Sequence, residues 1–164
     1  MISTNNEETK KILDTIRKYQ NDYLVPIVKI ASELDISVYL AELSKDISGA
    51  ILKKDGKYVI YVNDKDNKKR QRFTIAHEIA HYILHKEQIG DNLTDNAMYR
   101  SKLSNTQERQ ANILASEILI PIHKLKEILN LKNYDIKSIA NVFGVSRQAI
   151  NIRINQGGNI FLEE

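Results

Sequence analysis

Thirteen consecutive residues, Phe73-Thr74-Ile75-Ala76-His77-Glu78-Ile79-Ala80-His81-Tyr82-Ile83-Leu84-His85, constrain this chain more than anything else in it. Read as a helix, Phe73, Ile75, Ala76, Ile79, Ala80, Ile83 and Leu84 make it apolar around most of its circumference, so it belongs in a core. Thr74, His77, Glu78, His81 and His85 form its single polar stripe. Buried polar groups need partners, and a dense His/Glu stripe inside a core is most simply satisfied by a metal ion. The competing reading is a surface helix whose His and Glu face water, and the apolar residues on every other side speak against it.

His77 and His81 are four residues apart and project from one helix face, so both imidazoles reach a single ion. Glu78, one residue on from His77, is displaced around the helix and can approach a water at the metal without being a ligand. The chain contains no Cys, so a transition-metal site must be built from His and carboxylates. A catalytic zinc takes three protein ligands and keeps one position open. His85 fails as the third, because eight residues of helix separate it from His77 by roughly 12 Å. The third ligand comes from another element. Glu108 is the best candidate, sharing a helix face with Ala111, Asn112 and Ala115, whose small side chains allow close approach. Asp91, Asp95 and Glu87 are the alternatives, whereas Glu117 points away from that face.

Around this core the pattern is that of an α+β protein. Helices are expected over residues 7–19 and 26–34, and Ile36, Val38 and Leu40 alternate as a half-buried strand does. Strands at 48–53 and 57–62 flank the hairpin dipeptide Asp55-Gly56, giving a small, mostly antiparallel sheet. Long helices are expected at about 70–85 and 106–120, with Pro121 opening the next. The organisation predicted is a metal-binding domain over residues 1–121, with its core at about 26–121, and a small helical module over 122–164 packed on it. No run of 18 apolar residues occurs, and residues 1–11 lack a signal-peptide core, so a cytoplasmic protein is expected, without membrane contact. A net charge of +3 is too small to argue nucleic-acid binding, and Lys65, Lys68, Lys69, Arg70 and Arg72 read as a solvated loop and helix start.

Arg72 to His81, with Glu108-Arg109-Gln110-Ala111-Asn112, Ala115 and Leu119-Ile120-Pro121 downstream, resembles the ImmA/IrrE family of metallopeptidases, as do the hairpin and Tyr61-Val62-Asn63. The resemblance covers roughly residues 26–121. It implies a mostly helical, zincin-like peptidase domain, with Zn2+ (or Mn2+) on His77, His81 and Glu108 and with Glu78 as general base. It also implies action inside bacteria, often from a mobile element, on a helix-turn-helix repressor of the Xre type encoded nearby, so that genes are derepressed. Tyr82, Tyr99, Arg100 and His123 are all able to donate to the developing oxyanion. A substrate strand could add to an edge of the sheet.

Ile136 to Asn151 fits a helix-turn-helix: Ala140 is small at the crossing, Gly144 sits at the turn, Val145 plugs the junction and Ser146 is a good N-cap. Arg147, Gln148 and Asn151 would contact DNA or a partner from its second helix. Arg153 stands where such motifs bury a small apolar residue, which weakens the DNA reading. The alternative functions are a DNA- or protein-binding regulator, or a toxin–antitoxin component, in which the zinc site is not proteolytic. An intact Glu78 favours the enzyme.

Overall fold

The computed structural model describes residues 7–92, 104–131, 133 and 135–162. The chain opens with α1 (Glu7–Tyr19) and α2 (Ile27–Glu33), followed by strands β1 (Ile36–Ala41), β2 (Gly49–Lys54) and β3 (Lys57–Asn63). Helix α3 (Lys68–Leu84) carries the His/Glu stripe, and a 3-10 turn, Lys86–Gln88, follows it. The described residues continue with α4 (Asn105–Leu119), α5 (Ile122–Asn130), α6 (Ile136–Phe143) and α7 (Arg147–Gln156). Seven α-helices and three strands among the described residues make the fold α+β, as the patterning predicts.

The sheet is mixed rather than mostly antiparallel. Its order is β1-β3-β2, with β2 and β3 antiparallel and β1 and β3 parallel, Ile36 opposite Tyr58 and Ala41 opposite Asn63. The β2–β3 hairpin turns at Asp55 and Gly56, with φ of 49° and 78°, the backbone such a two-residue turn demands. The connection between β1 and β2 produces the parallel pair, for it reverses the chain and skips one position, which β3 then fills. Asn63 secures that connection, its side-chain amide donating to the carbonyls of Leu43, Ser44 and Ile47. Alternation on β1 is also incomplete: Ile36 is buried, but Leu40 is 60% exposed.

Ile36, Ile51, Ile60 and Val62 turn one sheet face into the core beneath α3. Strand β2 lies so close to α3 that a Cβ on Gly49 would stand 2.4 Å from Thr74 Cγ2. Helix α3 begins at an Asn67 cap, whose side chain accepts from Arg70 N at 3.0 Å. Helix α4 begins with a capping box between Ser104 and Gln107. Ala76 and Ala80 of α3 and Ala111 and Ala115 of α4 are fully buried, so the two long helices meet through small residues.

The C-terminal helices share this core: Ile139, Ala140, Phe143, Val145 and Ile150 belong to one buried cluster with Ile16, Ile79 and Leu114. Arg72 joins three segments, donating to Val25 O at 2.9 Å and to Gly144 O at 3.3 Å. Arg153 lies fully inside, donating from Nε to Ile120 O at 3.1 Å and from its other nitrogens to Gly158 O and Asn159 Oδ1.

A His/His/Glu metal centre

Helical spacing places the imidazoles of His77 and His81 on successive turns of α3, with their Nε2 atoms 3.0 Å apart. Helix α4 brings Glu108 over them so that each carboxylate oxygen meets a different ring: Oε2 lies 3.3 Å from His77 Nε2, and Oε1 lies 3.3 Å from His81 Nε2. An ion held tetrahedrally by nitrogen and oxygen at about 2.0–2.1 Å has ligand atoms about 3.3 Å apart. The two ring nitrogens at 3.0 Å, each with a carboxylate oxygen 3.3 Å away, lie close to that separation, and one ligand atom from each residue falls within 4.8 Å of the others, so the donor set fits. This trio is the metal-competent cluster among the described residues.

The outer atoms of both rings are engaged. His77 Nδ1 lies 2.9 Å from Asn112 Oδ1, one turn beyond Glu108 on the same face of α4. His81 Nδ1 lies 3.0 Å from Nδ1 of His85. His85 is thus bound to the far side of a ligand ring rather than directed at the ion. Burial, reinforced by the neighbouring His81, pushes its pKa below the ordinary imidazole value. Hydrogen bonds to His77 and then His81 hold the Glu108 carboxyl well below the usual carboxylate range, so it is an anion ready to ligate. Exposure is graded across the centre: His81 is 1% exposed, His77 12% and Glu108 38%, which opens the site on the Glu108 side. Glu78 is itself 1% exposed.

A family model described as the IrrE N-terminal-like domain, of the M78 peptidases, matches residues 31–155. The chain belongs to that family. Among curated relatives, Metallopeptidase ImmA of Bacillus subtilis (strain 168) is 33% identical over 104 residues, 62% of this chain and 58% of that protein. Phage-like element PBSX protein XkdA of the same organism is 28% identical over 133 residues, 80% of this chain and 62% of that one. The chain therefore spans about three-fifths of the length of these relatives. A solved structure of a Mycobacterium tuberculosis transcriptional regulator superposes with a TM-score of 0.63 at 16% identity, covering 92% of this chain and 47% of that one, a likeness of fold alone.

For this M78 family member, the metal-ligand candidates read from the sequence, His77, His81 and Glu108, come together. Glu87 and Asp91 are exposed and stand outside the cluster, and Asp95 lies outside the described residues. Of the four oxyanion candidates, the two among the described residues do not stand in this cluster. Tyr82 packs edge-on against Tyr58, and its hydroxyl accepts from Lys86 Nζ at 3.4 Å. His123 is exposed on α5 near Glu127, and Tyr99 and Arg100 lie outside the described residues. Arg147, Gln148 and Asn151 are exposed along α7. Glu117, set aside from the metal, accepts instead from the backbone N–H groups of Ile160, Phe161 and Leu162. Asn112 and the outer role of His85 are not among the site residues expected from the sequence. The signal for His85 was present, since it follows His81 at the same interval of four that links His81 to His77.

Proposed function

We propose that this metallopeptidase-family chain is a zinc-dependent endopeptidase acting inside the cell on a protein, specifically a helix-turn-helix repressor of the Xre type. The observation that carries the enzymatic part is the convergence of His77 Nε2, His81 Nε2 and both Glu108 oxygens, with buried Glu78 one residue along from His77. A structural zinc site closes all four positions with protein ligands, whereas this one offers three among the described residues.

His77, His81 and Glu108 would hold the ion. When bound, zinc supplies a Lewis acid that polarises a carbonyl and acidifies water. Glu78 accepts the proton of the attacking water and then delivers it to the leaving amine, which makes its carboxylate both general base and general acid. Asn112 and the His81–His85 pair keep the two imidazoles oriented. The exposed Glu108 side is where a polypeptide would enter.

The substrate part of the reading draws on the sequence resemblance to the ImmA/IrrE family and on the chain's own α6–α7 pair, two short helices joined by a turn at Gly144 as a helix-turn-helix would be. No helix among the described residues is long and apolar enough to cross a membrane. A second reading, contact with DNA or a protein through Arg147, Gln148 and Asn151, draws on their shared exposure on α7.

Incubating the purified chain and zinc or manganese with the Xre-type repressor encoded beside it tests the proposal. Cleavage is expected from the native chain, while Glu78→Gln retains about one zinc per chain and does not cut. Cleavage that persists in Glu78→Gln would assign the activity to a contaminant and overturn the reading.

A further inference from the structure

We propose that His85 is a positioning residue for the metal centre: it accepts the Nδ1 proton of His81 and thereby leaves the Nε2 lone pair of His81 aimed at the ion. The proposal rests on the reading of His77, His81 and Glu108 as metal ligands.

A single hydrogen lies between the two Nδ1 atoms, which are 3.0 Å apart, so one ring donates and the other accepts. His81 Nε2 faces His77 Nε2 at 3.0 Å and Glu108 Oε1 at 3.3 Å, so it can ligate only if it carries no hydrogen. In a neutral imidazole that places the hydrogen on Nδ1, and His85 Nδ1 must then accept it. The remaining hydrogen of His85 is then on Nε2, and a side-chain hydrogen bond between this ring and Gln110 on α4 favours the hydrogen-bearing ring. The relay therefore runs from His81 Nδ1–H to His85 Nδ1, with Gln110 bonded to the outer ring.

An imidazole in this place differs from the usual outer partner of a ligating His, a carboxylate or carbonyl that can only accept. An imidazole can face either way, and the reversed relay would put a hydrogen on His81 Nε2 and close the site to metal. Ligation at His81 Nε2 would set the polarity. Glu108 and Gln110 sit on the same helix, so α4 supplies both a ligand and a hydrogen-bond partner for the outer ring of the relay.

Two measurements on the full-length chain test this. Long-range 1H–15N correlation on the zinc-loaded protein reads which Nδ1 of the His81–His85 pair carries the hydrogen, and competition with a chromogenic chelator reads zinc affinity. The native chain is expected to carry it on His81 Nδ1. His85→Leu, which fills the space without an acceptor, should bind zinc about 10- to 100-fold more weakly, still with one ion per chain. His85→Asn, whose side-chain oxygen overlies the imidazole Nδ1, should restore the affinity. If His85→Leu does not fold, Gln110→Leu at the partly buried end of the relay should weaken zinc binding in the same direction. Unchanged affinity in these variants, or a hydrogen on His85 Nδ1 in the native chain, would overturn the proposal. Should the native chain bind no zinc, the ligand reading itself fails, whereas zinc held equally by native chain and His85→Leu would overturn this proposal alone.

Discussion

Glu108 is the most exposed member of the metal trio, yet its two oxygens bridge both histidines, so its removal leaves two neutral donors and no counter-charge for a divalent ion. Glu108→Ala should weaken zinc binding more than Asn112→Ala, which removes only the acceptor at His77 Nδ1 and should cost about 10- to 100-fold in affinity. Chelator competition on the two variants measures the order, and an Asn112→Ala loss equal to that of Glu108→Ala would deny the ligand role to Glu108. His77, Glu78 and His81 were legible because a spacing of four within one buried helix defines their geometry locally. Glu108 was legible only in part: its face of α4 could be read from Ala111 and Ala115, but three other carboxylates stayed open until the packing of α4 on α3 was known. Asn112 lies in the same segment, where helical spacing shows it only as a face neighbour of Glu108. An amide becomes the partner of an imidazole only through the distance between two helices, which no local pattern encodes.

At the level of elements, what reads well from sequence is what the chain decides within a few residues. The helices follow from apolar spacing, and the β2–β3 hairpin follows from Asp55-Gly56. The parallel pairing of β1 with β3 leaves no such mark, because it depends on a connection that skips a position and is held by the buried Asn63 amide. The turn between α6 and α7 shows both kinds of information. Gly144 adopts φ of 64°, the left-handed cap that its position after Phe143 suggests. Its second constraint is tertiary: a Cβ there would stand 2.6 Å from Leu24 Cδ1 and 2.9 Å from Arg72 Nε. Gly144→Ala should therefore lose more than the roughly 1–2 kcal/mol of a left-handed L-residue alone, since Arg72 also binds Val25 and Gly144 through their carbonyls. Urea denaturation of native and variant protein measures the loss. A difference below about 1 kcal/mol would mean that the turn is not tightly docked on α3.

Across the whole molecule, one buried cluster spans the Pro121 boundary between the domain and the module expected to pack on it. Leu114, Ile118 and Ile120 share one buried cluster with Ile139, Phe143, Val145, Ile150, Phe161 and Leu162. The family match likewise runs without a break over residues 31–155. Polar ties cross the same line. Glu117 accepts three backbone N–H groups from residues 160–162, and the buried Arg153 guanidinium is held by the carbonyls of Ile120 and Gly158. Removing one partner from a buried charged network is strongly destabilising, because the other charge stays behind without compensation. A chain ending at Pro121 would keep every metal ligand, but it would bare the apolar faces of α4 and leave Glu117 buried without its donors. Such a truncation should therefore fail to fold cooperatively. Its far-ultraviolet circular dichroism should melt without a sharp transition, and zinc should not bind at the stoichiometry of the full chain. A sharp melt with one zinc per truncated chain would establish two separable domains and return α6 and α7 to the role of an appended module. The same comparison bears on the substrate. If α6 and α7 are part of the peptidase core, losing them removes the metal centre together with repressor cleavage. A truncated chain that still binds zinc but no longer cuts would instead identify them as a docking module for the substrate.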